Sequence, residues 1–147
     1  MLVTIYNDRY VANDFGDAED LPAIRDDAKK IQDLLRNDFG YEVPSDDPTI
    51  FEPGKLENQP NLVKTFEVFL KKWKRQQPKG KTIDSFVLYY HGHGVQVLGH
   101  PCLLTTEWKP VPLAQLIKLV AEYVNPIFVI LSTTAAPTRR NKKIRKL

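Results

Sequence analysis

Two histidines one residue apart, His91-Gly92-His93-Gly94, follow directly on the apolar run 85–90 (SFVLYY). An imidazole exchanges its proton near neutral pH, so a histidine delivered by a strand end is suited to general acid–base work. Glycine on each side of His93 lets the backbone turn sharply and approach a substrate closely, which predicts a Gly-rich turn at this point. The N–H of Gly94 would then be a donor for a developing oxyanion. A base needs a nucleophile. The second apolar run, 127–131 (IFVIL), ends in Ser132-Thr133-Thr134, which supplies hydroxyls and no thiol. The chain's single cysteine, Cys102, lies in neither position. A different chemistry is open to the same residues. His91, His93, His100 and Cys102 form H-x-H and H-x-C arms that a hairpin could bring together, and zinc takes such ligands. No finger spacing accompanies them.

These residues need a scaffold. Residues 2–6 are β-rich, and a polar stretch follows. Ile24, Ala28, Ile31, Leu34, Leu35 and Phe39 recur at helical spacing, with Pro22 suited to a first turn and Gly40 to a C-terminal cap. Tyr41-Glu42-Val43 reads as a brief strand, and 46–54 as loop with room for one more. From Asn61 a second helix places Leu62, Val63, Phe66, Phe69, Leu70 and Trp73 on one face. Lys71, Lys72, Lys74 and Arg75 form its solvated side, and Pro78 and Gly80 end it. The run 85–90 has the unbroken apolar character of a central strand. A hairpin through Val95-Gln96-Val97 and Cys102-Leu103-Leu104 is expected next. A third helix from Pro112 carries Leu113, Leu116, Ile117 and Val120, and 127–131 is a second fully apolar strand. Strands alternating with helices predict an α/β fold, a sheet of about five or six mainly parallel strands covered on both faces. In such sheets function gathers at the carboxyl ends of strands, here after Tyr90 and after Leu131.

Composition narrows the classes. Hydrophobic residues make up 42% of 147, enough for one globular core. No run approaches the roughly 20 apolar residues of a membrane helix. The start lacks the basic lead-in of a secretory signal, and one cysteine forms no internal disulfide, so the expected compartment is the reducing cytoplasm. The net charge of +3 belongs to the end of the chain. RRNKKIRKL, from Arg139 onward, holds six Lys or Arg and no acid, which leaves −3 on residues 1–138. A nucleic-acid surface would spread its basic residues over a folded face, so this distribution argues against one. The expected organisation is a folded domain over 1–134 and a basic, disordered tail over 135–147.

The stretch 86–94 (FVLYYHGHG) resembles the strand and Gly-His-Gly segment of metacaspases and related caspase-like peptidases (clan CD, peptidase C14). Leu21-Pro22-Ala23-Ile24-Arg25-Asp26-Asp27-Ala28, with Ile31, Leu34, Leu35 and Gly40-Tyr41-Glu42-Val43, is similar to their first helix and second strand. Pro126 to Leu131 is similar to the strand that delivers the nucleophile. The resemblance implies a three-layer sandwich in which His93 matches the catalytic histidine and Gly94 the oxyanion glycine. Asp27 matches the acidic residue by which metacaspases select basic side chains, whereas Leu21 stands where caspases use arginine to bind aspartate. Asp27 also reads simply as a solvated helix residue. The sequence departs from the family at the nucleophile, where Thr134 takes the cysteine's place. A threonine hydroxyl titrates far above neutrality and is activated poorly by an imidazole alone. The strands of the small-subunit half, which complete the family's sheet, are not legible after residue 134.

The resemblance therefore implies a pseudo-protease, disarmed by truncation, splicing or decay, that acts as a binding or regulatory module. Its partner would be an intact caspase-like protein or an adaptor, since an unpaired sheet edge invites another chain. An association with proteolysis and apoptosis, and calcium dependence, follow from the family alone; no other cofactor is implied. Two alternatives stand beside this one. One is an active cysteine endopeptidase, altered here at residue 134, that cleaves a peptide substrate. The other is the His/Cys metal protein.

Overall fold

The computed structural model describes residues 1–7, 9–12, 14, 17–42, 62–80 and 84–135. Its centre is one long strand, β4 (Phe86–Val97). β1 (Leu2–Tyr6) lies parallel to β4 in the register Val3↔Leu88 and Ile5↔Tyr90. β7 (Ile127–Ala135) lies parallel to it as well, from Phe86↔Ile127 to Gly94↔Ala135. β5 (His100–Leu104) turns back antiparallel on the end of β4, and β6 (Pro110–Pro112) pairs antiparallel with β5. Gly94 is partnered by both Leu103 and Ala135, so β5 and β7 flank opposite edges of β4. Hence β5 continues the edge on which β1 ends. Asn7 bridges that junction: its N–H donates to the His91 carbonyl at 2.9 Å and its Nδ2 to the Leu104 carbonyl at 2.6 Å.

Alternation along the parallel strands feeds two cores. Val3, Ile5, Phe86, Leu88 and Tyr90 point to the face covered by α2 (Leu62–Gln76) and α3 (Leu113–Ala121). There Phe66, Phe69, Leu70, Leu116 and Val120 complete the larger core. Leu2, Val87 and Tyr89 point the other way, against Ala28, Ile31 and Leu35 of α1 (Pro22–Asn37). Helices on both faces of the sheet make the three layers the sequence predicts. The expected boundaries hold well: Pro22 opens α1, Gly40 at φ +69° follows its end, and the lysines of α2 stay outside.

Several expectations are corrected. The Gly-rich turn after Tyr90 is absent, because β4 runs straight through His91–Gly94 with ladder partners on β7, and the chain reverses only at Leu98-Gly99. Both of those residues have positive φ, +51° and +80°, as a two-residue hairpin turn requires. The parallel body of the sheet, β1, β4 and β7, and the hairpin on its end are as expected, with β6 added antiparallel to β5. β7 continues past Leu131 to Ala135, so Ser132-Thr133-Thr134 lie within a strand. That strand is not buried on both faces. Phe128 and Ile130, on the α1 side, are 51% and 39% exposed, because α1 covers β1 and β4 but not β7. Tyr41 and Glu42 form no strand, although the Glu42 carbonyl accepts from Leu2 N–H at 2.8 Å. Two short strands were not foreseen, β2 (Arg9–Tyr10) and β3 (Glu19–Asp20), which pair antiparallel with each other. The loop expected over 46–54 and the tail after 135 lie outside the described residues.

Candidate functional site

The centre of the site is His93, which β4 carries and which is only 4% exposed. Its enclosure is built by chain far away in sequence. Tyr10 of β2 packs its ring 4.8 Å from the imidazole, and its hydroxyl accepts the His93 backbone N–H at 2.7 Å. Trp108, in the β5–β6 connection, stacks on the imidazole at 5.4 Å and packs on Tyr10 at 4.6 Å. Glu19 of β3 closes the edge: its Oε2 lies 2.7 Å from His93 Nε2. The β2–β3 segment is tied down beside the site, since Val11 N–H donates to the Thr106 carbonyl at 2.9 Å and Trp108 Nε1–H to the Val11 carbonyl at 3.1 Å. Trp108 adopts φ +63°, a conformation that costs a non-glycine residue about 1–2 kcal/mol and that its burial and stacking must offset.

Beneath His93 a buried polar network fixes the strand. The Tyr90 hydroxyl faces the His93 carbonyl at 2.8 Å and the Leu104 carbonyl at 3.0 Å. Burial pushes both Tyr90 and Tyr10 above the ordinary tyrosine range, Tyr90 the further. Gly92 has its small size for a reason. A Cβ there would meet the Tyr90 and Tyr10 hydroxyls at 2.6 and 2.8 Å. Gly94 is half-buried between β5 and β7, where a Cβ would press on Thr133 at 3.3 Å.

The other sequence-derived residues fall into two groups. Thr134 is brought to the site: it is the register partner of His93 across the β4–β7 ladder, and parallel neighbours lie roughly 4.8 Å apart. Asp27 is on α1, with a side chain 54% exposed and 3.5 Å from the Lys30 ammonium. Its charge acts on Tyr89 and His91. His91 is half-buried, 3.3 Å from the Tyr89 hydroxyl; burial lowers its pKa, and Asp27 opposes that shift. The metal reading of His91, His93, His100 and Cys102 finds no support in the geometry. His93 is engaged by Glu19, His100 pairs with Val97 at the hairpin tip, and buried Cys102 turns its Sγ to the His100 carbonyl at 3.6 Å. Among the described residues no three of His, Cys, Asp and Glu converge as a metal site needs, and the same holds for the carboxylates that calcium would require.

A family model described as Caspase domain matches residues 5–130. The chain belongs to the caspase-domain family. The match takes in Tyr10, Glu19, Asp27, His93, Gly94 and Trp108. It stops short of Thr134, so the place of that residue in the caspase domain rests on its register with His93. No significant match was found among curated proteins or solved structures. Within this caspase domain the sequence pointed to His93, Gly94 and Thr134. It did not point to Glu19, Tyr10, Tyr90 or Trp108. Two-residue strands carry no periodicity, and the only local signal was an acid just ahead of the Leu21-Pro22 helix start.

Proposed function

We propose that this caspase domain is a pseudo-protease that acts as a binding or regulatory module. One observation carries the reading: the strand partner of His93 is Thr134, while the chain's single thiol, Cys102, is buried on β5. A thiol is partly thiolate near neutral pH and attacks without strong activation, whereas a threonine hydroxyl needs a full base and orienting machinery. Removing sulfur while keeping the imidazole leaves a fold that can bind without cutting. The partner proposed is another caspase-like protein or an adaptor. Among the described strands β7 pairs only with β4, and its other edge and the exposed Phe128 and Ile130 offer the contact surface. The single cysteine suits a reducing compartment such as the cytoplasm. No helix among the described residues is long and apolar enough to cross a membrane.

Restoring the sulfur tests the reading. In Thr134→Cys the new thiol is expected to react with iodoacetamide at least about ten times faster than Cys102, and to lose that advantage in Thr134→Cys/His93→Ala. Peptides with Arg or Lys before the scissile bond, the preference that Asp27 implies, extend the test to cleavage. A new thiol that reacts no faster with His93 present than without it would remove residue 134 from the nucleophile position.

A further inference from the structure

Nothing in the sequence singles out Glu19, and its contact with His93 does not follow from the position of the nucleophile. We propose that Glu19 is a positioning residue, whose carboxylate fixes the His93 ring as the Nε2–H tautomer and leaves the lone pair on Nδ1. The proposal rests on the reading of His93 as the acid–base histidine of this caspase domain and adds the group that orients it.

An ionised carboxylate accepts and cannot donate, so the 2.7 Å contact between Glu19 Oε2 and His93 Nε2 requires the proton on Nε2. A neutral ring so protonated has its basic lone pair on the other nitrogen. Carboxylates, like backbone carbonyls, orient functional imidazoles in this way in metal sites and in the Ser-His-Asp triad. The surroundings here make the arrangement specific. His93 is 5% exposed in its side chain and Glu19 33%, so the contact is screened from bulk water on the histidine side and remains open on the carboxylate side. Stacking on Trp108 and packing on Tyr10 fix the ring plane, and Tyr10 holds the backbone N–H. None of those contacts selects a tautomer. Glu19 does. The β2–β3 pairing, Arg9↔Asp20 and Tyr10↔Glu19, delivers the ring-plane residue and the tautomer residue together from one short ladder.

This role differs from a merely structural tie between β3 and β4, and the difference is spectroscopic. With the imidazoles labelled with ¹⁵N, only His91, His93 and His100 contribute, and a His93→Gln sample assigns the site. In the wild-type protein with the ring neutral, Nε2 of His93 is expected to resonate as a protonated nitrogen and Nδ1 as an unprotonated one. In Glu19→Ala the two signals are expected to move toward each other as the tautomers mix. Glu19→Asp, which keeps the charge on a shorter arm, should restore part of the separation. A wild-type ring protonated at Nδ1, or a Glu19→Ala ring that stays purely Nε2–H, overturns the proposal. The wild-type spectrum decides even if Glu19→Ala does not fold. Failure of the thiol in Thr134→Cys to respond to His93 would count against the reading of residue 134, and the tautomer measurement is independent of it.

Discussion

His93 and Thr134 stand opposite each other on adjacent parallel strands. A long ladder, from Phe86↔Ile127 to Gly94↔Ala135, sets that register, so the two residues are held side by side by backbone pairing. The imidazole thus has a threonine, and no thiol, as its ladder partner. What surrounds His93 is built to hold it still: a carboxylate on Nε2, two aromatic rings, and a tyrosine hydroxyl on its backbone N–H.

The rigidity of that scaffold depends on the absence of a side chain at residue 92. Gly92→Ala should destabilise the domain by about 1–3 kcal/mol, because its Cβ would displace two buried, hydrogen-bonded hydroxyls. Gly94→Ala should cost less, since it meets Thr133 at 3.3 Å rather than hydroxyls below 3.0 Å. Urea denaturation midpoints of the two variants check the order.

Tyr10 and Tyr90 predict an alkaline limit to stability. Burial raises both above the ordinary tyrosine value of 10.0. The unfolded chain therefore releases these protons first. Their contribution is complete below about pH 10 and is lost as pH rises through the folded values. Unfolding free energy measured from pH 8 to pH 11 should fall above about pH 10, and Tyr90→Phe should shrink that fall relative to pH 8. An unchanged slope in Tyr90→Phe would contradict the buried, protonated hydroxyl.

The two faces of the sheet differ in a way that single substitutions can read. Leu88 is fully buried between β4 and the α2–α3 layer, so Leu88→Ala should cost about 2–5 kcal/mol. Phe128, on the uncovered side of β7, is 51% exposed, and Phe128→Ser should cost less than about 1 kcal/mol. Calorimetric melting of both variants tests the assignment, and a severe loss in Phe128→Ser would mean that something covers that face.

Much of this was legible in the sequence, for reasons that are local. Helical spacing in 22–37 and 62–76, the apolar runs 85–90 and 127–131, and the Val95–Leu104 hairpin each carry a period or a turn signal, and each element is there. The His93–Thr134 juxtaposition was legible because both residues come just after apolar runs that form neighbouring parallel strands, which continue through them. The glycines misled, since a Gly-His-Gly segment reads as a turn when its true constraint is the pair of tyrosine hydroxyls against Gly92. The exposure of Phe128 and Ile130 was hidden because an apolar run does not say which helix covers it. Glu19 and Tyr10 were hidden because a contact more than 70 residues apart in sequence, made from two-residue strands, leaves no pattern in either segment.

The most direct test of the central claim is peptide hydrolysis by the unmodified protein, measured beside His93→Ala with substrates bearing Arg, Lys or Asp before the scissile bond, with and without calcium. No turnover above background is expected for either protein. Cleavage by the wild-type chain that disappears in His93→Ala would contradict it, and would make Thr134 or another group a working nucleophile.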